Sequence, residues 1–207
     1  MDFILNPNLV LYLPLWKLDG SPFVSKDTYG RPCAVTGALW RPNGRWFDYI
    51  DDRIQTILPD YNLTANANVS LLAWINTNSS SDQGIMAIGS VYMCINLDAL
   101  VFGARCFDGA SKVASSGYTI SKNTWYLLAG VFSGGTVDFL VNGDLVAADQ
   151  ACSNQVALNQ HLFIGFGYVP AAAQFFSGLI GEVAIYNRAL TPLEILRNYQ
   201  ATKWRYR

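Results

Sequence analysis

The chain has 207 residues, of which 51% are hydrophobic and only 14% charged, and its formal net charge is -1. Such a chain suits one all-β domain with a substantial core and excludes global disorder. The near-zero charge offers no basic field for a polyanion, which sets nucleic acid aside as a partner, and no apolar run is long enough to span a bilayer.

The first residues, Met1-Asp2-Phe3-Ile4-Leu5-Asn6-Pro7, lack a basic stretch followed by an apolar core, so no signal peptide is expected and the location is left open. Asn8 to Trp16 is an apolar run broken by Pro14, which suggests an edge strand or a strand end. Lys17 to Pro32 is rich in Gly, Pro, Ser and Asp and reads as loop. Ala34 to Leu39 and Arg45 to Phe47 read as short strands around the turn Pro42-Asn43-Gly44. The strings Asn62-Leu63-Thr64, Asn68-Val69-Ser70 and Asn78-Ser79-Ser80 match the glycosylation pattern but are taken as polar turn residues.

Val69 to Ile75 reads as a central strand and Thr77 to Gly84 as a polar loop. Ile85 to Gly89, Tyr92 to Leu97 and Leu100 to Phe107 read as neighbouring strands, with a turn at Asp98-Ala99. Trp125 to Phe132 is apolar on both faces, as a strand between two layers must be. Val137 to Val141 turns through Asn142-Gly143 into Leu145 to Ala148, where Asn-Gly supplies the positive φ angles of a type I′ hairpin. Leu162 to Phe166 and Gly178 to Tyr186 complete the strands. Thr191, Pro192 and Glu194 then form an N-cap, a first-turn proline and a capping box, so one short helix starts near Thr191. Many short strands and a helix only at the end predict an antiparallel two-sheet jelly-roll sandwich, with residues 1–207 as a single domain.

Four segments, in order, resemble laminin-G-like domains of the concanavalin A-like lectin/glucanase superfamily. Leu9-Val10-Leu11-Tyr12-Leu13-Pro14-Leu15 is similar to the family's first strand, and Arg45 to Ile54 (Arg-Trp-Phe-Asp-Tyr-Ile-Asp-Asp-Arg-Ile) to its acidic corner. Trp125 to Phe132 with Val137 to Val146 is similar to its central strand and hairpin. Gly178-Leu179-Ile180-Gly181-Glu182-Val183-Ala184-Ile185-Tyr186, with the capped helix start, is similar to its closing strand and helix. There are two departures: Tyr49 stands where the family usually has glycine, and Arg53 where it usually has an aromatic. The resemblance implies a sandwich built for binding rather than catalysis, with a structural calcium near the corner and the closing strand as an alternative.

The chemistry-bearing residues are few. Glycosidases of the superfamily place carboxylates in an E-x-D-x-x-E pattern on one strand, whereas the only glutamates here are Glu182 and Glu194, twelve positions apart. The lone histidine, His161, reads as a surface loop residue, and a multi-histidine metal site is excluded. Asp48, Asp51 and Asp52 are the candidate calcium ligands, set against a role in capping a turn. Cys33, Cys94, Cys106 and Cys152 contain no CxxC pair and are expected as buried free thiols, although Cys94 and Cys106 flank a hairpin.

The segment Phe166 to Phe176 has no charge and carries Phe166, Tyr168, Phe175 and Phe176. It either folds onto the core or meets a partner, with packing or protein contact placed ahead of sugar. The closing Lys203-Trp204-Arg205-Tyr206-Arg207 is expected to dock through Trp204 and Tyr206. The expected function is a non-enzymatic binding module for glycans or a surface partner. The alternative is a structural or assembly protein, such as a phage or virus particle component, that associates with itself or with virion proteins.

Overall fold

The computed structural model describes residues 6–58, 68–89, 91–96, 100–107, 111–152, 161–169 and 172–207. The string Asn62-Leu63-Thr64 and the turn expected at Asp98-Ala99 lie outside these residues. In chain order the described strands are β1 (Leu9–Pro14), β2 (Phe23–Val24), β3 (Pro32–Thr36), β4 (Leu39–Arg41), β5 (Gly44–Asp48) and β6 (Arg53–Ile57). Next come β7 (Val69–Thr77), β8 (Gln83–Ile88), β9 (Val91–Asn96), β10 (Val101–Phe107), β11 (Ser111–Thr119) and β12 (Tyr126–Ser133). The last are β13 (Thr136–Val141), β14 (Asp144–Ala151), β15 (His161–Ile164), β16 (Phe166–Val169), β17 (Ala172–Phe175) and β18 (Ser177–Tyr186), followed by helix α1 (Pro192–Thr202).

The chain forms the expected antiparallel sandwich. One sheet runs β14-β13-β12-β7-β18-β5-β4, with β1 beside the second half of β18. The other runs β11-β10-β9-β8-β15-β6-β3-β2, and β16 and β17 make a separate hairpin. At the β13–β14 turn Asn142 and Gly143 take φ values of 55° and 91°, as the Asn-Gly pair demands. Pro14 ends β1, where its missing N–H does no harm. Strands also run where none was expected: β2, in the segment read as loop; β6, within the acidic corner and just beyond it; β11, whose serines and glycine hide its alternation; and β16 and β17, in the uncharged aromatic segment.

Period-2 alternation sends Leu71, Ala73 and Ile75 of β7 into the interface between the sheets, opposite Ile54, Met93 and Ile164 of the second sheet. The intervening Leu72 and Trp74, with Leu127 and Ala129 of β12, are also buried, because Ile195 and Tyr206 at the C-terminal end cover that outer face. This is why β7 and β12 are apolar on both sides. Trp74 stacks on Tyr206 and Tyr199 with centroids 4.4 Å and 5.7 Å away, and its Nε1 donates to Thr202 Oγ1 at 2.8 Å.

The helix starts as expected: Glu194 N donates to Thr191 Oγ1 and Thr191 N donates to the Glu194 carboxylate. Arg188 grips the same carboxylate and, as the largest influence on it, holds its pKa down to about 2. Of the two aromatics expected to dock the tail, Tyr206 is buried but Trp204 is 59% exposed. Trp204 lies instead against the Arg205 guanidinium, which is held between it and Trp16.

The cysteine expectation needs correction. Cys106 of β10 and Cys152, just after β14, form a disulfide, while Cys33 and Cys94 are buried free thiols. The pairing partner comes from the other sheet, 46 positions along the chain, so spacing along one hairpin could not reveal it. Burial raises the Cys33 thiol to about 11 and the Cys94 thiol to about 12, so both are inert at neutral pH.

Candidate functional site

The outer face of the second sheet carries the aromatic residues left over from the core. Leu162 and Ile164 of β15 face inward, so His161 and Phe163 face outward. The register sets Phe163 beside Gln55 of β6 and Ala87 of β8. It continues from Ala87 to Tyr92 of β9, and from Tyr92 to Arg105 of β10.

The β16–β17 hairpin folds onto this face over β8 and β9. Two glycines permit the approach. A Cβ on Gly84 would run into the Gly167 backbone, and one on Gly167 would lie 3.0 Å from Gly84 Cα and 3.2 Å from the Tyr92 ring. Gln174, opposite Gly167, shares that inward side, and its Nε2 donates to Asp82 Oδ2 at 3.0 Å. Phe166 and Phe175, paired one register position away, take the opposite side and stay half-exposed.

The result is a row of four partly exposed rings. Phe175 and Phe166 have centroids 5.2 Å apart, Phe166 and Phe163 5.3 Å, and Phe163 and His161 6.3 Å. At the far end Gln55 Nε2 donates to His161 Nδ1 at 3.0 Å, which fixes the imidazole. Rings flanked by fixed polar groups offer apolar faces and hydrogen bonds together.

Two of the four expected contact residues, Phe166 and Phe175, therefore belong to this row. The Tyr168 side chain lies outside what is described. Phe176 must be removed: it is fully buried, packed edge-on against Phe47 at 6.1 Å, because the alternation turns it inward beside Gly165. Phe163 and His161 were missed. The sequence placed Phe163 in a strand and His161 just before it, but only the register shows which face they use.

The acidic corner also comes together. Carboxylate oxygens of Asp48, Asp51 and Asp52 lie within 4.8 Å of one another. Asp52 is buried, and its Oδ2 accepts from Asp48 N at 2.9 Å; Asp48 Oδ1 accepts from Ile50 N at 2.8 Å. Arg53 Nη1 donates to Asp51 O at 3.0 Å. Burial, with the charges of Asp48 and Asp51 adding to it, pushes the Asp52 carboxyl above its ordinary range. Three hard oxygen donors could hold calcium, yet the backbone amides already close this turn.

Both glutamates are engaged elsewhere. Glu194 caps the helix, and Glu182 is 8% exposed on the outer face of the first sheet, accepting from the hydroxyls of Tyr12 at 2.5 Å and Tyr206 at 3.2 Å. Burial raises the Glu182 carboxyl despite these bonds. A cavity of about 30 Å³, lined by Tyr12, Trp74 and Tyr186, adjoins it.

Two apposed antiparallel sheets with a capped C-terminal helix define a lectin-like β-sandwich. The chain belongs to the concanavalin A-like lectin/glucanases superfamily: the sequence model of a laminin-G family within it matches residues 49–196. Among solved structures, the fold is similar to Trypanosoma rangeli sialidase in complex with sialic acid, with a TM-score of 0.72 at 16% identity over 98% of this chain and 34% of that one. It is also similar to the botulinum neurotoxin serotype D binding domain, with a TM-score of 0.67 at 16% identity over 94% of this chain and 52% of that one. For the receptor binding domain of the botulinum neurotoxin C/D mosaic serotype the TM-score is 0.66 at 15% identity, covering 94% and 51%. At such identities the likeness establishes the fold alone. The chain spans about a third of the sialidase and about half of each toxin domain. No curated protein matches it in sequence.

Proposed function

We propose that this protein is a non-enzymatic binding module that takes a glycan on the row His161, Phe163, Phe166 and Phe175. The carrying observation is the row itself: four adjacent rings, partly exposed, with the Gln55–His161 pair fixed at one end. An uncharged aromatic loop taken alone favours protein contact over sugar. The amide–imidazole pair beside Phe163 favours sugar, because ring faces stack on a pyranose while fixed polar groups meet its hydroxyls. Support also comes from the sialidase's complex with sialic acid and from the toxin binding domains. A non-catalytic role is supported by the engagement of Glu182 and Glu194 in structural bonds.

A glycan array with the purified protein tests this. Selective binding is expected, and Phe163→Ala or Phe166→Ala should weaken it at least tenfold, equivalent to about 1.4 kcal/mol. Oligomers or particle association without glycan binding would favour the assembly role instead.

In the same reading the corner of Asp48, Asp51 and Asp52 serves structure. Thermal melts in millimolar calcium and in chelator should then agree. A calcium-dependent rise in Tm that disappears in Asp51→Asn would instead place the ion at this corner.

A further inference from the structure

At the C-terminal end two cations meet on one ring. The Arg205 guanidinium lies 3.4 Å from the Trp16 ring centroid and 4.3 Å from that of Trp204, and Lys17 Nζ lies 4.7 Å from that of Trp16. Like charges this close repel unless an anion joins them. Among the described residues, neither side chain has a hydrogen-bond acceptor or an ion-pair partner. Glu182, which feels the charge of both, gives its oxygens to the hydroxyls of Tyr12 and Tyr206. Asp19, two residues after Lys17, accepts from Gly20 N.

The fold fixes this arrangement in advance. Tyr206 is buried against β18, where a Cβ on Gly181 would lie 2.3 Å from its ring, and Tyr206 N donates to Lys203 O at 3.2 Å. Arg205 is thereby set between an anchored ring and the exposed Trp204. Stacking occupies the guanidinium faces and leaves its N–H edge open, the edge that takes a carboxylate in two parallel bonds.

The indole N–H groups here are all turned inward. Trp40 donates to Trp16 O and Trp204 to Ala201 O, each at 3.0 Å, and the Trp16 N–H is buried without an acceptor. What stays open is apolar ring surface on Trp204 and Trp40, with two positive charges. Such a surface reads charge and apolar contact, not a pattern of neutral hydroxyls, and Trp with Arg is the composition of protein interface anchors.

We propose that Trp16, Lys17, Trp40, Trp204 and Arg205 form a docking surface for an acidic segment of a partner protein, with an Asp or Glu carboxylate paired to the Arg205 edge and apolar neighbours laid on Trp204 and Trp40. The surface lies with the C-terminal end on the first sheet, whereas the ring row lies on the second, so it stands apart from the glycan reading.

The test is a peptide array randomised around a central Glu, Asp, Gln or Asn, probed with the whole protein. The peptides selected should carry the acid. Arg205→Gln and Trp204→Ala should each weaken them about tenfold or more, and Arg205→Lys, which keeps the charge and loses the fork, should also weaken them. Lys17→Gln, at an exposed position, should weaken them with Tm unchanged and serves if the Arg205 variants fail to fold. Glycan binding should persist in all four. No peptide selected, equal selection of the neutral set, or wild-type affinity in both Arg205→Gln and Lys17→Gln overturns the proposal. Binding to phosphatidylserine vesicles or to a sulfated glycan that is lost in Arg205→Gln, with no acidic peptide selected, overturns it too and gives the surface to that anion.

Discussion

Replacing Cys106 and Cys152 together by alanine should lower stability by about 4 kcal/mol, the chain-entropy figure for a closed loop of this length. The bridge spans 46 positions and joins β10 of one sheet to the residue after β14 of the other. Both cysteines are buried, and β11 and β14 lie against each other at this side of the sandwich. In the unfolded chain the bond removes freedom that folding would otherwise have to remove. Urea unfolding of the wild type with and without reductant reads the effect directly. A midpoint unmoved by reductant would show that the two thiols do not pair.

The second large effect is expected at Trp74. Trp74→Ala should cost about 3–5 kcal/mol, the range for deleting a large aromatic from a packed core. The indole is the surface on which the C-terminal end is laid: Tyr206 and Tyr199 stack on it and Thr202 accepts its N–H. Without it the outer face of β7 and β12 loses its central contact. Trp74→Phe keeps one ring but loses the N–H bond and part of the stacked volume, so a smaller cost of about 1–3 kcal/mol is expected there. Denaturant melts give both values, and protease cleavage near Lys203 should accelerate in the alanine variant alone. Equal cleavage in wild type and variant would mean that the tail is held by other contacts.

What was legible in the sequence depended on how local the cause was. The Asn142-Gly143 turn and the Thr191–Glu194 cap are set by residues within four positions of one another, and both formed as read. β11 was not legible, because Ser111–Thr119 becomes a strand through its pairing with β10 rather than through its own side chains. The aromatic segment was recognised, but its faces were not. A shift of one residue exchanges inward and outward sets, so Phe175 and Phe176 could be separated only once β17 and β18 had partners. The same reasoning hid Phe163 and His161. Cys152 finds Cys106 only because the two sheets close on each other, which no spacing rule contains.

The disulfide side of the sandwich also bears on solubility. A molecule this rich in strands would be expected to recruit further strands at any open margin. At one side the margins β11 and β14 face each other beside a covalent bond. The margins β2 and β4 have two and three residues, too few to template a partner. The free side of β1 is occupied by its own loop: Tyr12 N donates to Asp27, Tyr12 O accepts from Lys26 N, and Val10 O accepts from Arg31. Among the described residues, the margins of the two large sheets are thus bonded, shortened or covered, which leaves backbone pairing between chains little to build on there. Arg31 and Asp27, which form an ion pair at 3.6 Å, emerge as guards against aggregation as much as contributors to the fold.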